Sequence, residues 1–188
     1  MQRELALRDG ARLLDVGGYP WCWPPGATAA RVTLLNRAFP DGTAAQGFTY
    51  MTGDGCALPF GDGEFDAVFS NSVIEHVGTW ERQQAFAREA RRVGRRLWVQ
   101  TPAREFFVEP HLLAPFVHWL PRRMQRGLLR WFTPWGWLTR PTPADVDAFL
   151  AEVRLLTRAE MRELFPDCEI LTERFLGLPK SYIAVRRR

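Results

Sequence analysis

Residues 53–77 read GDGCALPFGDGEFDAVFSNSVIEHV, and the order of features in this stretch decides the architecture. Phe65 to Phe69 is a short apolar run of the kind that forms a buried strand. It is entered through a loop rich in glycine and acid, Gly53 to Asp62, and left through Ser70, Asn71 and Ser72 toward Glu75 and His76. Polar residues on both sides of a buried strand are expected at the edge where open α/β sheets bind ligands. On the C-terminal side, Phe86, Ala90 and Val93 recur at helical spacing, with Glu81 near the start and Arg91 and Arg92 near the end, which complements the helix dipole. Gly94 is expected to stop this helix, and Leu97 to Gln100 supplies a further strand. On the N-terminal side, runs at Arg12 to Val16, Arg31 to Leu35 and Phe48 to Met51 give three more.

The early links are short for this architecture. Residues 19–30 contain Pro20, Pro24 and Pro25, and residues 37–47 contain Pro40 and two glycines, so neither is expected to hold a full helix. One sheet face should therefore lack its usual cover. Near the other end, Thr157 and Glu160 have capping-box spacing, and Met161, Leu164 and Phe165 form an apolar face before Pro166. The last two runs, Glu169 to Phe175 and Tyr182 to Val185, are joined by too few residues for a parallel crossover and must pair as an antiparallel hairpin.

The chain has 188 residues, 46% of them hydrophobic and 24% charged, which fits one folded domain and excludes a disordered chain. No apolar run reaches the roughly 18 residues needed to span a bilayer, and the first ten residues lack a signal-peptide core, so the expected location is cytoplasmic. Cys22, Cys56 and Cys168 are too far apart for a C-x-x-C pair and odd in number, so they read as reduced structural thiols, and no metal site is expected. The net charge is +4, and residues 104–140 carry all of it, with six arginines against two glutamates. The same stretch holds Phe106, Phe107, Phe116, Trp119, Trp131, Phe132, Trp135 and Trp137. It reads as an insertion, 104–156, within a single domain spanning 1–188. Within it a helix is expected after Pro121, with Met124, Leu128, Trp131 and Phe132 on its apolar face. Its expected role is to cover the open sheet face, within one subunit or across a homodimer interface, with Trp131 and Phe132 buried. A substrate lid and a membrane-surface contact are the lesser alternatives, and the modest charge does not favour a nucleic-acid partner.

In order and spacing, the segment from Thr52 to Pro102, GDG-x-x-LPF-x-D-x-x-FD-x-V followed by S-x-SVIEHV, a helix and a strand, resembles the class I S-adenosylmethionine-dependent methyltransferases of the methyltransferase type 11 group. The resemblance implies a Rossmann-like, mostly parallel sheet with an antiparallel terminal hairpin and S-adenosyl-L-methionine as cofactor. It places Asp15 near the methionine end of the cofactor, with Gly17 and Gly18 leaving room for it. Asp54 would accept a hydrogen bond from the adenine amino group, and Asn36 stands where the family usually has an acid for the ribose hydroxyls. Gly55 and Asn71 complete the implied cofactor set. Tyr19 and Trp21 occupy positions where the family has glycines, so the loop must run differently or the cofactor must sit farther out. His76, after the fourth strand, and His111, at the start of the insertion, are the candidate bases for deprotonating an acceptor, since a neutral imidazole can do this near pH 7. The implied activity is methyl transfer to a small-molecule or lipid-like acceptor. A non-catalytic binding module of the same fold is the alternative. An NAD-dependent enzyme is disfavoured because no G-x-G-x-x-G follows the first strand.

Overall fold

A computed structural model describes residues 5, 7–24, 26, 28–43, 45–109 and 111–187. Its strands are β1 (Arg12–Val16), β2 (Arg31–Asn36), β3 (Phe48–Thr52), β4 (Phe65–Asn71), β5 (Gly94–Pro102), β6 (Val108–Glu109), β7 (Ala114–Pro115), β8 (Glu169–Phe175) and β9 (Leu178–Arg186). The helices are α1 (Trp80–Val93), α2 (Arg122–Phe132), α3 (Pro134–Thr139), α4 (Pro143–Glu152) and α5 (Arg158–Leu164). Seven strands form one sheet in the order β3-β2-β1-β4-β5-β9-β8. The first five are mutually parallel, and β9 is antiparallel to both β5 and β8. The hairpin turn is only Leu176 and Gly177, both at positive φ, which matches the right-handed twist of the strands it joins.

Alternate residues along each central strand feed two separate cores, as the period of two requires. Leu14, Val16, Leu35, Val68 and Leu97 meet Phe86, Ala90 and Val93 of α1, Met161 and Leu164 of α5, and Phe165 just after it. Thr79 caps α1, accepting from the Arg82 N–H, and Thr157 with Glu160 closes a capping box on α5. Gly94 stops α1 as expected: it is the C-cap, its N–H donating to the Ala90 carbonyl, and at φ −101° it is also the first residue of β5. Its lack of a side chain serves packing as well, because a Cβ there would lie 2.6 Å from Val68 Cγ2.

The other face buries Leu13, Val32, Leu34 and Ala67 under Leu5 and Trp23. Among the described residues of the first early link, the helical structure is a 3-10 turn, Pro20–Cys22. Between the two links lies an open groove of about 680 Å³, floored by Val32 and walled by Trp21, Trp23 and Phe48.

The expectation that the insertion covers this face within its own subunit is corrected: among the described residues none of the groove lining comes from 104–156. The chain leaves the sheet at Ala103 and returns at Leu156, which pair as an isolated parallel bridge. Between them Leu112, Ala114, Val117, Leu129, Val146 and Leu150 build a third core of their own. Within the subunit Trp131 and Phe132 are not buried, being 63% and 68% exposed, which corrects the single-subunit form of that expectation. Leu129 is the residue of α2 that is buried, and Trp131 stands about 200° round the helix from it, on the opposite side. Among the described residues no helix is long and apolar enough to cross a membrane.

Candidate functional site

The carboxyl ends of β1, β2 and β3 and the segment after β4 enclose a cavity of about 190 Å³, lined among others by Gly17, Asn36, Asp54, Gly55, Val73 and His76. Of the cofactor residues expected from the sequence, Gly17, Asn36, Asp54 and Gly55 meet here. Asp15, Gly18 and Asn71 are not among the lining residues.

Asp15 is 1% exposed and accepts a 2.7 Å hydrogen bond from Trp23 Nε1. Burial raises its pKa to about 7, against the lowering effect of the Trp23 bond. Gly18 accommodates this carboxylate, since a Cβ there would fall 1.8 Å from Asp15 Oδ2. Gly17 takes φ +84°, and a Cβ on it would come within 2.4 Å of Val73 Cγ2. The space beside both glycines is thus filled by the protein's own side chains. Tyr19 and Trp21 stack on each other with centroids 4.4 Å apart, and neither lines the cavity.

Asn36 donates from Nδ2 to the Gly17 carbonyl at 3.3 Å and accepts the Arg37 N–H at 2.9 Å. It fixes the loop as well as facing the cavity. Asp54 receives Arg82 Nη2 on both carboxylate oxygens, at 3.1 and 2.8 Å, and the Cys56 N–H at 2.9 Å. Partial burial pushes its carboxyl up, but the bonds from Arg82 and Cys56 outweigh this and hold it below the usual carboxylate range. A carboxylate has about four acceptor positions, so one remains for a further donor.

Beyond β4 the chain turns sharply. Ser72 adopts φ +56°, with its N–H and hydroxyl both donating to Gln100 Oε1 at 3.1 and 3.0 Å. The following 3-10 turn, Ile74–His76, sends Ile74 and Glu75 inward, fully buried, and leaves His76 half-buried at the cavity. Glu75 accepts from the Thr101 hydroxyl at 3.0 Å through Oε2, while Oε1 is buried without a hydrogen-bond partner. Burial raises its pKa to about 7.

The structure brings His76 together with His111, 35 residues away, with the two Nε2 atoms 2.9 Å apart. His111 Nδ1 meets Glu109 Oε1 at 2.6 Å, and the other oxygen of Glu109 accepts the Leu112 N–H. His76 Nδ1 lies 3.5 Å from Glu152 Oε1. Burial lowers the pKa of His76, helped by the neighbouring His111. Burial acts on His111 too, but the hydrogen bond and charge of Glu109 outweigh it and leave its pKa above the ordinary value. Glu109 also lines a second cavity of about 380 Å³, formed by the insertion with Arg104, Trp119, Phe149 and Arg154. Glu109, His111 and His76 therefore connect the insertion cavity to the sheet-edge cavity. His118 lines the insertion cavity without joining the His76–His111 pair, its Nε2 donating to the Arg104 carbonyl at 3.0 Å.

Sequence reasoning missed Glu109, Glu152, Arg82 and Trp23. Only Glu109 left a signal, since it sits two residues before a candidate histidine. The partners of the other three are set by tertiary packing.

The Methyltransferase domain family profile matches residues 28–96. No curated protein matches the chain by sequence. Among solved structures, a SAM-dependent methyltransferase from Methanosarcina mazei is 15% identical with a TM-score of 0.52, covering 95% of this chain and 92% of that one. Phosphoethanolamine N-methyltransferase 2 of Haemonchus contortus, solved with phosphomonomethylethanolamine and S-adenosylhomocysteine, gives 15% identity and a TM-score of 0.57 over 91% of this chain, which spans only 37% of that protein. A structure from Anabaena variabilis, described as a methyltransferase of an antibiotic biosynthesis pathway, is 19% identical with a TM-score of 0.50; 69% of this chain aligns to 57% of that one. The sheet order and strand directions are those of the Rossmann-like fold of these methyltransferase structures, and the profile match over residues 28–96 adds a sequence likeness to methyltransferase domains within that fold.

Proposed function

We propose that the protein transfers a methyl group from S-adenosylmethionine to a small or lipid-like acceptor seated between the sheet edge and the insertion. The observation that carries this reading is the connected chain Glu109, His111 and His76, which reaches from one cavity to the other. The insertion cavity, at about 380 Å³, falls within the roughly 300–1,000 Å³ of small-molecule pockets.

The residues present fit the cofactor in kind. Asp54 keeps one acceptor position that an exocyclic amine would use, Asn36 lines the cavity where it would meet the ribose hydroxyls, and Gly17 and Gly55 bring backbone to the cavity wall. The cleft's 190 Å³ is below the usual range for small-molecule pockets, so a cofactor bound here would extend beyond it. When bound, the cofactor supplies an electrophilic methyl on a sulfonium. The chain's own residues align the acceptor and take its proton. With His111 Nδ1–H donating to Glu109, His111 Nε2 is free to accept from His76 Nε2–H, and His76 Nδ1 can receive the acceptor's proton. The higher proton affinity of His111 then draws charge away from the acceptor, toward Glu109.

Isothermal titration with S-adenosylmethionine tests the reading. Binding is expected, and Asp54→Ala should weaken it about five- to a hundredfold, the effect of leaving a buried donor unpaired by about 1–3 kcal/mol. The side chains filling the space beside Gly17 and Gly18 favour a second reading, a binding module of the same fold. Absence of detectable heat at millimolar cofactor would establish that alternative.

A further inference from the structure

We propose that Glu75, His76 and His111 form a binding site for a divalent first-row transition ion of the zinc class. Each of the three places one ligand atom within 4.8 Å of the other two. Two imidazoles and a carboxylate with one position left over is a donor set that suits zinc and related ions in sites that bind a further ligand.

The surroundings are arranged as a metal site requires. A ligating histidine normally gives its second ring N–H to a carboxylate or carbonyl, which fixes the tautomer and turns the other nitrogen toward the metal. His111 meets that condition through Glu109 at 2.6 Å, and His76 Nδ1 has the Glu152 carboxylate at ion-pair distance, 3.5 Å, able to take up the same part as the ring moves. If both Nδ1 atoms carry hydrogen, the two Nε2 lone pairs face each other across 2.9 Å, an arrangement that needs a cation between them. A proton satisfies two rings but gives nothing to Glu75, whose Oε1 is buried and unpartnered. A burial of this kind is costly without a compensating partner. A metal ion serves all three groups at once. Two zinc–nitrogen bonds of about 2.1 Å at a tetrahedral angle span about 3.4 Å, so the rings must part by about half an ångström. Glu152, 59% exposed in its side chain, can follow His76 in that movement.

The cation site stands on this geometry alone; its consequence for catalysis rests on the methyltransferase reading. An ion at this point would present its open position to the acceptor, lowering the pKa of an acceptor hydroxyl bound there, in place of proton removal by His76.

The experiment is titration of dialysed, full-length protein with zinc chloride by calorimetry, with metal content then measured by plasma mass spectrometry. One ion per chain is expected. His76→Ala and His111→Ala should each abolish stoichiometric binding. Glu109→Gln, which leaves the ligands in place but disturbs one orienting bond, should weaken it about 10- to 100-fold. His118→Asn should leave it unchanged. Circular dichroism checks that each variant is folded, and if the alanine variants unfold, Glu109→Gln and Glu75→Gln decide. No zinc uptake by the wild type, or uptake that persists unchanged in His76→Ala and His111→Ala, overturns the site. A parallel titration with S-adenosylmethionine separates the two readings: zinc bound without cofactor binding defeats the methyltransferase reading alone, and the reverse defeats the metal site alone.

Discussion

Asp15 lies against Trp23 at the end of the first strand, and its chemistry there concerns stability before catalysis. A carboxyl raised to about 7 by burial holds its proton in the folded chain at pH values where the unfolded chain, near 4, has lost it. The folded state then binds more protons than the unfolded one between these limits, so its stability falls as pH rises from about 4 to about 7. Asp15→Asn keeps an oxygen for Trp23 Nε1 and removes the ionisable group. Denaturation midpoints should show the variant gaining on wild type across this window, by an amount on the order of a few kcal/mol at the upper end. Glu75, also near 7, contributes slope of the same sign, so the informative quantity is the difference between the two proteins. Equal pH profiles would mean that Asp15 is ionised beside Trp23 at little cost. At the neighbouring Gly17, φ +84° and a Cβ only 2.4 Å from Val73 both oppose a side chain. Gly17→Ala should cost roughly 2–4 kcal/mol in urea unfolding, combining left-handed strain with overpacking. A loss under about 0.5 kcal/mol would show that Val73 turns aside.

At the scale of elements, the terminal hairpin is where local chemistry and backbone conformation disagree. Leu176 holds φ +49° in a two-residue turn, a conformation that costs an ordinary L residue about 1–2 kcal/mol, while its side chain is 85% exposed and gains little from packing. Leu176→Asn creates an Asn-Gly pair suited to the turn and should raise the thermal midpoint, by up to about 1 kcal/mol of stability. An unchanged or lower midpoint would mean that Leu176 contributes a contact worth as much as the strain. The insertion shows the opposite case. Leu129 of α2 packs with Val146 and Leu150 of α4, and this contact rather than the count of apolar residues decides which side of α2 faces inward. Arg126 reaches Asp147 on the same partner helix.

For the molecule as a whole, the consequence is an apolar surface on the insertion: Met124, Trp131, Phe132, Trp137 and Leu138 are all more than half exposed. Substitutions away from buried contacts usually change stability by no more than about 0.5 kcal/mol. The double variant Trp131→Gln, Phe132→Gln is therefore expected to melt close to wild type, and sedimentation should show it no more associated than wild type. A drop of more than about 2 kcal/mol would mean that these rings are covered in solution, as the composition of the segment first suggested.

The strands of the main sheet, helices α1 and α5 and the terminal hairpin were legible in the sequence because each is set by local period, by neighbouring capping groups or by a connector too short for a crossover. The meeting of Gly17, Asn36, Asp54 and Gly55 at one cavity was legible for a related reason: in an open parallel sheet, strand ends necessarily converge. Other features depended on contacts between distant segments. That Asp15 turns to Trp23 and that α2 presents Leu129 rather than Trp131 to its neighbours are outcomes of side-chain packing, which helix and strand periods do not specify. The pairing of His76 with His111 required the insertion to fold back over the turn after β4, and no local pattern encodes that approach. Sequence alone determined the sheet and which polar residues reach its edge; the tertiary structure decided which of them face the cavity and which partner holds each one, because those choices are made by packing across tens of residues.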